Sequence, residues 1–197
     1  MKTGENVSFL FLACALLFLL NACVPAVSMK YEELAKGDIH RGSVVVGTVS
    51  NKRPDANGNS FDLVGRVRGG YGNPFALKTE PGKEIDVLLR EVAEASLKHT
   101  GYTSEQVAGK SSRLDIDILK FWCDGYMGYK IWAEIEVKLI NSTDGKTLTQ
   151  KNINVQKGFT LIGSYGPMHM AFDEVINGVQ KELVAFMQSE EFQAAVK

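Results

Sequence analysis

The sequence predicts an α+β fold, a two-layer sandwich in which a mixed sheet of about four strands carries two helices on one face. Three observations predict this fold. Residues 43–50 are β-branched and almost entirely apolar, two later segments repeat apolar residues every three or four positions, and residues 113–159 alternate between apolar and polar residues. In chain order these patterns give a strand, a helix, a three-stranded meander and a helix. The first strand, helix and strand then require a right-handed crossover.

Composition and charge narrow the class of protein. The chain has 197 residues, of which 45% are hydrophobic and 23% are charged, and its formal net charge is −1. This is the composition of an ordinary globular protein that is long enough for one domain with a substantial core. Acidic and basic residues are interspersed, so neither a nucleic-acid-binding surface nor a basic membrane-binding face is indicated.

An apolar segment precedes the predicted domain. Val7 to Leu20 is an uninterrupted run of fourteen apolar or small residues. A membrane-spanning helix needs about 20 such residues, so the run has the length of the hydrophobic region of a signal peptide. Residues 1–22 are therefore predicted to be a signal peptide, and an uncleaved transmembrane anchor or a buried core helix is the alternative.

The apolar segment ends in Leu20-Asn21-Ala22-Cys23, which resembles the lipobox of bacterial lipoproteins. The resemblance implies cleavage before Cys23, a diacylglycerol on its thiol and a further acyl chain such as palmitate on its new amino group. At about 0.8 kcal/mol per buried methylene, three chains would make attachment permanent. Val24 rather than Asp follows the cysteine, which implies export to the outer membrane, where the lipid-anchored domain would face the periplasm.

The mature chain is predicted to hold a linker and one domain. Residues 23–42 contain the lipidated cysteine and a stretch with proline and glycines but no periodic apolar pattern, so we expect a linker. Fully extended, the residues after the cysteine would reach about 60 Å, which would let the domain stand off the membrane. Residues 43–197 are predicted to form a single periplasmic domain.

Turn-forming residues dominate the connection after the first strand. Residues 51–59 and 65–74 are rich in Asn, Pro, Asp and Gly, and the connection of about thirty residues far exceeds the usual four to six. Arg66 and Arg68 among these glycines could form a backbone nest for a phosphate or carboxylate. The spacing matches neither a dinucleotide fingerprint nor a P-loop. The favoured interpretation is therefore a surface loop with a minor hairpin, and anion or ligand binding is the alternative.

The first helix is predicted over Thr79 to Thr100. Thr79 can cap it, Pro81 lies in its first turn and Gly101 ends it. Its apolar residues form one stripe, and acidic and basic residues alternate on the opposite face. This alternation indicates a solvent-exposed surface rather than a binding site.

Two alternating strands follow, at 113–121 and 129–140, and residues 123–128 join them as a hairpin. Asp115 and Asp117 share the polar face of the first strand. Two carboxylates on one face could act as a catalytic pair. The alternation of the strand alone also accounts for them, as polar residues on its solvent-exposed face. A third, mostly polar strand is predicted from about residue 147 to 159, at an edge of the sheet.

Aromatic residues and methionine gather around this hairpin, and such residues are enriched at protein interfaces. At least half of them are expected to lie in the core. The predicted partner or ligand surface consists of Arg66, Arg68, Tyr71, Trp122, Tyr126, Met127 and Trp132.

Cysteine and histidine offer little chemistry. Cys123 is the one cysteine left once Cys14 leaves with the signal peptide and Cys23 is acylated. It is expected to be buried and inert, the alternative being an intermolecular disulfide. The second helix, from about residue 167 to 188, begins with Met168-His169-Met170, which would suit copper, but three consecutive residues cannot all face one ion.

No catalytic motif is present. The three histidines have no obvious nucleophile beside them, and Ile162 stands where a nucleophile elbow at Ser164 requires glycine. No enzyme activity, cofactor or metal ion is therefore expected. Ser189 can cap a short tail helix after the second helix.

Several features together resemble a known family. They are Cys23 at the lipobox, a first strand running into Arg53-Pro54-Asp55, residues 65–70 with Arg68 before the glycines, a helix closing on Gly101-Tyr102, and the strand from Leu114 to Phe121 with its partner. On these residues the chain resembles the YajG-type family of uncharacterised bacterial lipoproteins over about three quarters of its mature length. The resemblance implies a localisation and a fold, and no established enzyme activity.

These observations predict a membrane-tethered, non-catalytic lipoprotein of the bacterial cell envelope that acts as an accessory or binding module for another envelope component. The expected partners are the lipid bilayer, through acylated Cys23, and an envelope protein, with no nucleic acid. The alternative is a periplasmic lipoprotein that binds a small ligand, an anion or a metal ion.

Overall fold

The fold is mixed α+β, as predicted. A computed structural model describes residues 26–37, 42–54, 60–68, 74–104, 112–125, 128–159 and 168–196, and the statements below concern these residues. The strands are β1 (Ala26–Val27), β2 (Gly42–Asn51), β3 (Leu63–Arg68), β4 (Pro74–Thr79), β5 (Tyr102–Thr103), β6 (Ser112–Gly125), β7 (Tyr129–Asn141) and β8 (Thr147–Phe159). The helices are α1 (Ile85–His99), α2 (Met168–Met187) and α3 (Glu190–Ala195).

The sheet is larger than predicted, with eight strands in the described part of the chain instead of about four. One edge of β6 pairs with β7, and β8 pairs with β7, which is the predicted meander. The other edge of β6 is shared by β2 along its first half and β3 along its second half, both parallel to it. β4 and β1 extend the sheet beyond β3, and β5 pairs with the start of β2. The sheet curls into a half-barrel.

The extra strands come from segments without a local strand pattern. β1 and β5 have two residues each, and β3 and β4 form an antiparallel hairpin inside the predicted long connection. This hairpin belongs to the core, because Val64 and Val67 are buried. Gly65 is required by packing rather than by a turn, since a Cβ there would meet the backbone of Cys123.

The first helix begins later than predicted. Thr79 is the last residue of β4, where its N–H donates to the carbonyl oxygen of Asp62 at 2.8 Å, so it is not the cap. A turn around Gly82, whose φ is 77°, separates the strand from α1. Pro-Gly is a sequence typical of a turn, and Pro81 therefore lies in a turn before the helix, not in the first turn of the helix as predicted. The predicted apolar stripe of α1 is buried.

A bulge in β6 decides which of its residues are buried. Alternation buries Leu114, Ile116 and Ile118, and the register with β7 then shifts between Ile118 and Lys120. The bulged residue, Leu119, is 39% exposed, and after it Phe121 and Cys123 return to the buried face. Cys123 therefore lies within a strand, not in the turn predicted over residues 123–128.

Strands and helices share one hydrophobic core. α2 matches its predicted range to within a residue at each end, and Ser189 caps α3 by accepting a hydrogen bond from the Phe192 N–H at 3.2 Å. Phe192 anchors α3 with its ring 5.4 Å from that of Tyr102 and 5.0 Å from that of Phe186. The finer prediction of a two-layer sandwich stays a prediction.

Residues 26–37, which were predicted to be linker, pack against the domain. Val27 and Met29 are 6% and 8% exposed and belong to the core. The Lys30 N–H donates to Asp173 Oδ1 at 2.7 Å, and the Glu32 N–H donates to Asn177 Oδ1 at 2.8 Å. This part of the predicted linker is thus not a free spacer, because two apolar side chains and scattered backbone hydrogen bonds hold it without any periodic pattern. The predicted signal peptide and Cys23 lie outside the described residues.

Candidate functional site

The structure brings part of the predicted partner surface together on the outward face of the sheet. Trp122 on β6 and Trp132 on β7 are direct register partners. Cross-strand partners share a face, and the neighbours of both residues in each strand are buried on the opposite face, so the two indoles lie side by side on the outward face. Both side chains are half-buried. Tyr71, Tyr126 and Met127 of the predicted surface lie outside the described residues.

Three cationic side chains surround the two indoles. The guanidinium carbon of Arg66 lies 5.9 Å from the Trp122 ring centroid. The Nζ atoms of Lys120 and Lys130 lie 4.5 and 5.2 Å from the Trp132 ring centroid. These distances are those of cation–π contacts. We call this cluster the Trp–cation patch; it consists of Arg66, Lys120, Trp122, Lys130 and Trp132.

The two lysines of the patch were not among the residues predicted for the partner surface. Lys130 precedes Trp132 by two residues and so shares its face, a signal that was present in the sequence. Lys120 reaches the same face because of the bulge at Leu119, which the sequence does not reveal.

Two carboxylates border the three cations of the patch. Asp124 is the register partner of both Arg66 and Lys130, and Glu134 is the register partner of Lys120. Arg68, two residues beyond Arg66 on β3, is exposed on the same face. The glycines that were predicted to form an anion-binding nest next to it, 69–73, lie outside the described residues.

Arg53 has a structural position that the sequence did not reveal. It is 5% exposed and lies where β2 ends and β3 begins along the shared edge of β6. Its Nη1 donates to the carbonyl oxygens of Leu63 at 2.8 Å and Phe121 at 3.1 Å, and its Nη2 donates to that of Ser60 at 2.6 Å. The guanidinium thus satisfies backbone acceptors in the gap between the two strands.

Asp115 accepts a backbone hydrogen bond at a second bulge, which lies in β2. The register of β2 with β6 shifts between Val46 and Val49. Asp115 Oδ1 accepts the Thr48 N–H at 3.0 Å, and Arg90 on α1 donates to the carbonyl oxygens of Val46 and Gly47 at 3.1 and 2.8 Å.

Asp117 lies in an ion-pair cluster on the wet face of the sheet. Lys138 Nζ is 2.9 Å from Asp117 Oδ2 and 2.5 Å from Glu136 Oε2. Hydrogen bonds to Glu136 and then Asp117 hold the pKa of Lys138 above its usual range. Since Asp115 binds backbone and Asp117 binds Lys138, the structure gives no support to a catalytic carboxylate pair.

The remaining sequence candidates do not converge on a site. Cys123 is a free, fully buried thiol whose pKa is raised to about 12, mainly by desolvation and then by Asp124. Met168 is buried whereas His169 and Met170 are exposed, so these three side chains do not face one ion. Across the described ranges no group of three or more His, Cys, Asp or Glu is placed to hold a metal ion. None of the helices in those ranges is long and apolar enough to cross a membrane.

Two open clefts flank the packed segment 26–37. One, of about 370 Å³, is lined by residues that include Tyr31, Lys83 and Glu91. The other, of about 470 Å³, lies between this segment and α2 and includes His99 and Asn177. Burial raises the pKa of Tyr31, and Glu91 adds to this. Both clefts are lined by charges of both signs, so neither selects a class of ligand.

Comparisons with known proteins give a fold and no family. No protein-family model matches the chain, and no curated protein matches its sequence. Among solved structures, a protein from Xanthomonas campestris of the DUF330 family is 16% identical, with 86% of this chain and 95% of that chain covered and a TM-score of 0.59. A protein described only as uncharacterised is 13% identical, with coverage of 82% and 100% and a TM-score of 0.52. At these identities the similarity shows a shared fold alone.

Bacterial lipoproteins occur among the weaker structural matches. A lipoprotein from Neisseria meningitidis is 17% identical, with coverage of 71% of this chain and 99% of that chain and a TM-score of 0.31. A TM-score of this size supports no inference about fold or function. The structural neighbours thus include a DUF330 protein and lipoproteins, and membership of the YajG-type family stays a prediction.

Proposed function

We propose that this protein is a membrane-tethered, non-catalytic lipoprotein of the bacterial cell envelope, and that the Trp–cation patch is the surface through which it binds another envelope component. The observation that carries the proposal is the outward Trp122–Trp132 pair with Arg66 beside it. Trp and Arg are the residue types that most often dominate binding energy at interfaces. Both tryptophans of the chain lie in this patch.

The surroundings of the patch support binding rather than catalysis. The carboxylates nearest to it, Asp124 and Glu134, pair in register with cationic residues. The buried thiol of Cys123 lies on the other face of the sheet, and its raised pKa opposes a nucleophilic role. These features suit a surface that recognises a partner by stacking and charge.

The tether is part of the proposal. The lipobox-like sequence at Cys23 supports acylation there, and Val24 supports an outer-membrane location facing the periplasm. We further propose that the chain is a member of the YajG-type family, with both long helices in one layer against the sheet, and that it acts as an accessory module.

Site-specific crosslinking in cells tests the binding surface. A photoreactive residue at position 156 would lie next to Trp132, because Gln156 is the exposed register partner of that tryptophan. Position 181, an exposed lysine on α2, is the matched control. We expect a discrete adduct, with protein or with lipid, from position 156 and none from position 181. Equal labelling from both positions would count against the patch.

Cell fractionation tests the tether separately. Cys23→Ser removes the thiol that would be acylated, at a position before the first described residue, Ala26. We expect the variant to leave the membrane fraction and to keep its far-UV circular dichroism. Continued tight membrane attachment would show that residues 7–20 remain as an anchor.

A further inference from the structure

The packed N-terminal segment leaves almost no tether. Ala26 already belongs to β1, where it pairs with Lys78 on β4, and only Val24 and Pro25 separate it from Cys23. Three extended residues span at most about 10 Å. If Cys23 is acylated, as the proposed function requires, the edge of the sheet is therefore held at the membrane surface.

Hydrogen bonds hold residues 26–37 against the domain, so these residues do not lengthen the tether between Cys23 and the sheet. Beyond β1, the Gln180 side-chain amide donates to the Glu32 carbonyl oxygen at 3.0 Å, and His99 Nδ1 lies 2.7 Å from the Ala35 carbonyl oxygen. The Gly37 N–H donates to the Lys98 carbonyl oxygen at 3.1 Å. Contacts along the whole segment oppose its release as a spacer.

The strand register places Ala26, three residues after Cys23, on the same face as the patch. Val27 pairs with Thr79 and both are buried, so the preceding pair, Ala26 and Lys78, belongs to the outward face, where both are exposed. Ala76, two residues before Lys78, pairs with Arg66 of the patch. Along β4 the outward face thus links Lys78, beside Ala26, to Ala76, beside Arg66 of the patch.

The patch is also close to the strand that bears Ala26. β4 and β3 lie between β1 and β6, so at about 4.8 Å per strand Trp122 is about 14 Å and Trp132 about 19 Å from the strand that bears Ala26. The membrane that holds the acyl chains is therefore within reach of both indoles.

We propose that the Trp–cation patch docks on the anionic headgroup layer of the membrane that holds the Cys23 lipid. Indole rings favour the boundary between headgroups and hydrocarbon, and lysine and arginine side chains are attracted to anionic lipids. Arg66, Lys120 and Lys130 supply three such charges, and exposed Arg68 lies beside them. Their register partners Asp124 and Glu134 carry two opposing charges, so the face that holds the patch keeps a net positive charge. The overall charge of −1 hides this surface, because the register assembles it from three strands.

Tryptophan fluorescence tests the proposal without any label. The mature chain purified from membranes, residues 23–197, is reconstituted into vesicles of phosphatidylethanolamine and phosphatidylglycerol, and both of its tryptophans report from the patch. We expect strong quenching by lipids brominated near the headgroup and several-fold protection from acrylamide in the water. Vesicle-bound protein whose tryptophans are open to acrylamide and unaffected by bromine would overturn the proposal. Protection that arises only when envelope proteins are added would also overturn it, in favour of a protein occupant.

Matched charge variants give the size of the effect. Each lysine near an anionic surface contributes about fivefold to binding, so Lys120→Gln/Lys130→Gln should lower the ratio of docked to undocked patch about 25-fold. Lys98→Gln/Lys181→Gln makes the same charge change on the helices and should leave that ratio unchanged. An equal loss in both variants would refute docking through this face. Protein that fails to float with the vesicles would instead refute the acylation of Cys23, and the docking with it.

Discussion

Arg53 offers the sharpest test of how the sheet is held together. Its guanidinium makes two buried hydrogen bonds, to the carbonyl oxygens of Leu63 and Phe121. Replacing it by methionine keeps most of the apolar stem but removes every donor. Buried hydrogen bonds to a charged group contribute about 1.5–3 kcal/mol each. Relief of the cost of burying the charge offsets part of this loss, so we expect Arg53→Met to lower the free energy of unfolding by about 4 kcal/mol.

Urea denaturation of the Cys23→Ser protein, followed by far-UV circular dichroism, measures this change. Arg66→Met is the matched control, because Arg66 is exposed and its guanidinium lies over the ring of Trp122 in the Trp–cation patch. Its expected loss is about 0.5–1 kcal/mol. Arg53→Lys should lower the free energy of unfolding about as much as Arg53→Met does, since an ammonium group cannot reproduce the planar fork of donors. If the unfolding midpoint of Arg53→Met equalled that of the control, the guanidinium would not be what closes the gap between β2 and β3.

Three further predictions concern packing, reactivity and pH. Gly178→Ala should lower the free energy of unfolding by about 1 kcal/mol, because the added Cβ would lie 2.7 Å from Val155 Cγ1. The cost of this overpacking exceeds the gain in helix propensity. Urea denaturation measures the change, and a variant more stable than the parent would contradict the prediction. Iodoacetamide at pH 8 should label Cys123 only after denaturation, because the thiol is fully buried and its pKa is about 12; rapid native labelling seen by mass spectrometry would contradict its burial. Hydrogen bonds from Lys78 and then Ser60 lower the pKa of Asp62. The stability that they provide is present above its ordinary pKa of about 4 and is lost as the pH falls through the lowered value, so Asp62→Asn should differ from the parent at pH 7 by less than about 1 kcal/mol and converge with it in acid. A difference that grew in acid would reverse the sign of this linkage.

The elements whose burial follows a local period could be predicted from the sequence. The apolar stripes predicted α1 and α2, and alternation predicted the meander of β6, β7 and β8. A single capping serine predicted α3, where the Ser189 Oγ accepts the Phe192 N–H. In each case the information lies within a few residues along the chain, because the period of a helix or strand fixes which side chains share a face.

The short strands, the packed N-terminal segment and the Trp–cation patch could not be predicted in this way, because they depend on which distant segments pair. The two-residue strands β1 and β5 have no pattern of their own and exist only beside β4 and β2. Gly65 looked like a loop residue and is instead a strand residue that faces Cys123 closely. Packing of residues 26–37 turned a predicted spacer into part of the domain. The same pairing created the Trp–cation patch, because the bulge at Leu119 resets the phase of β6 and brings Lys120 and Trp122 to the face of Trp132. A register is chosen by the fit of whole strands, and no single segment contains that information.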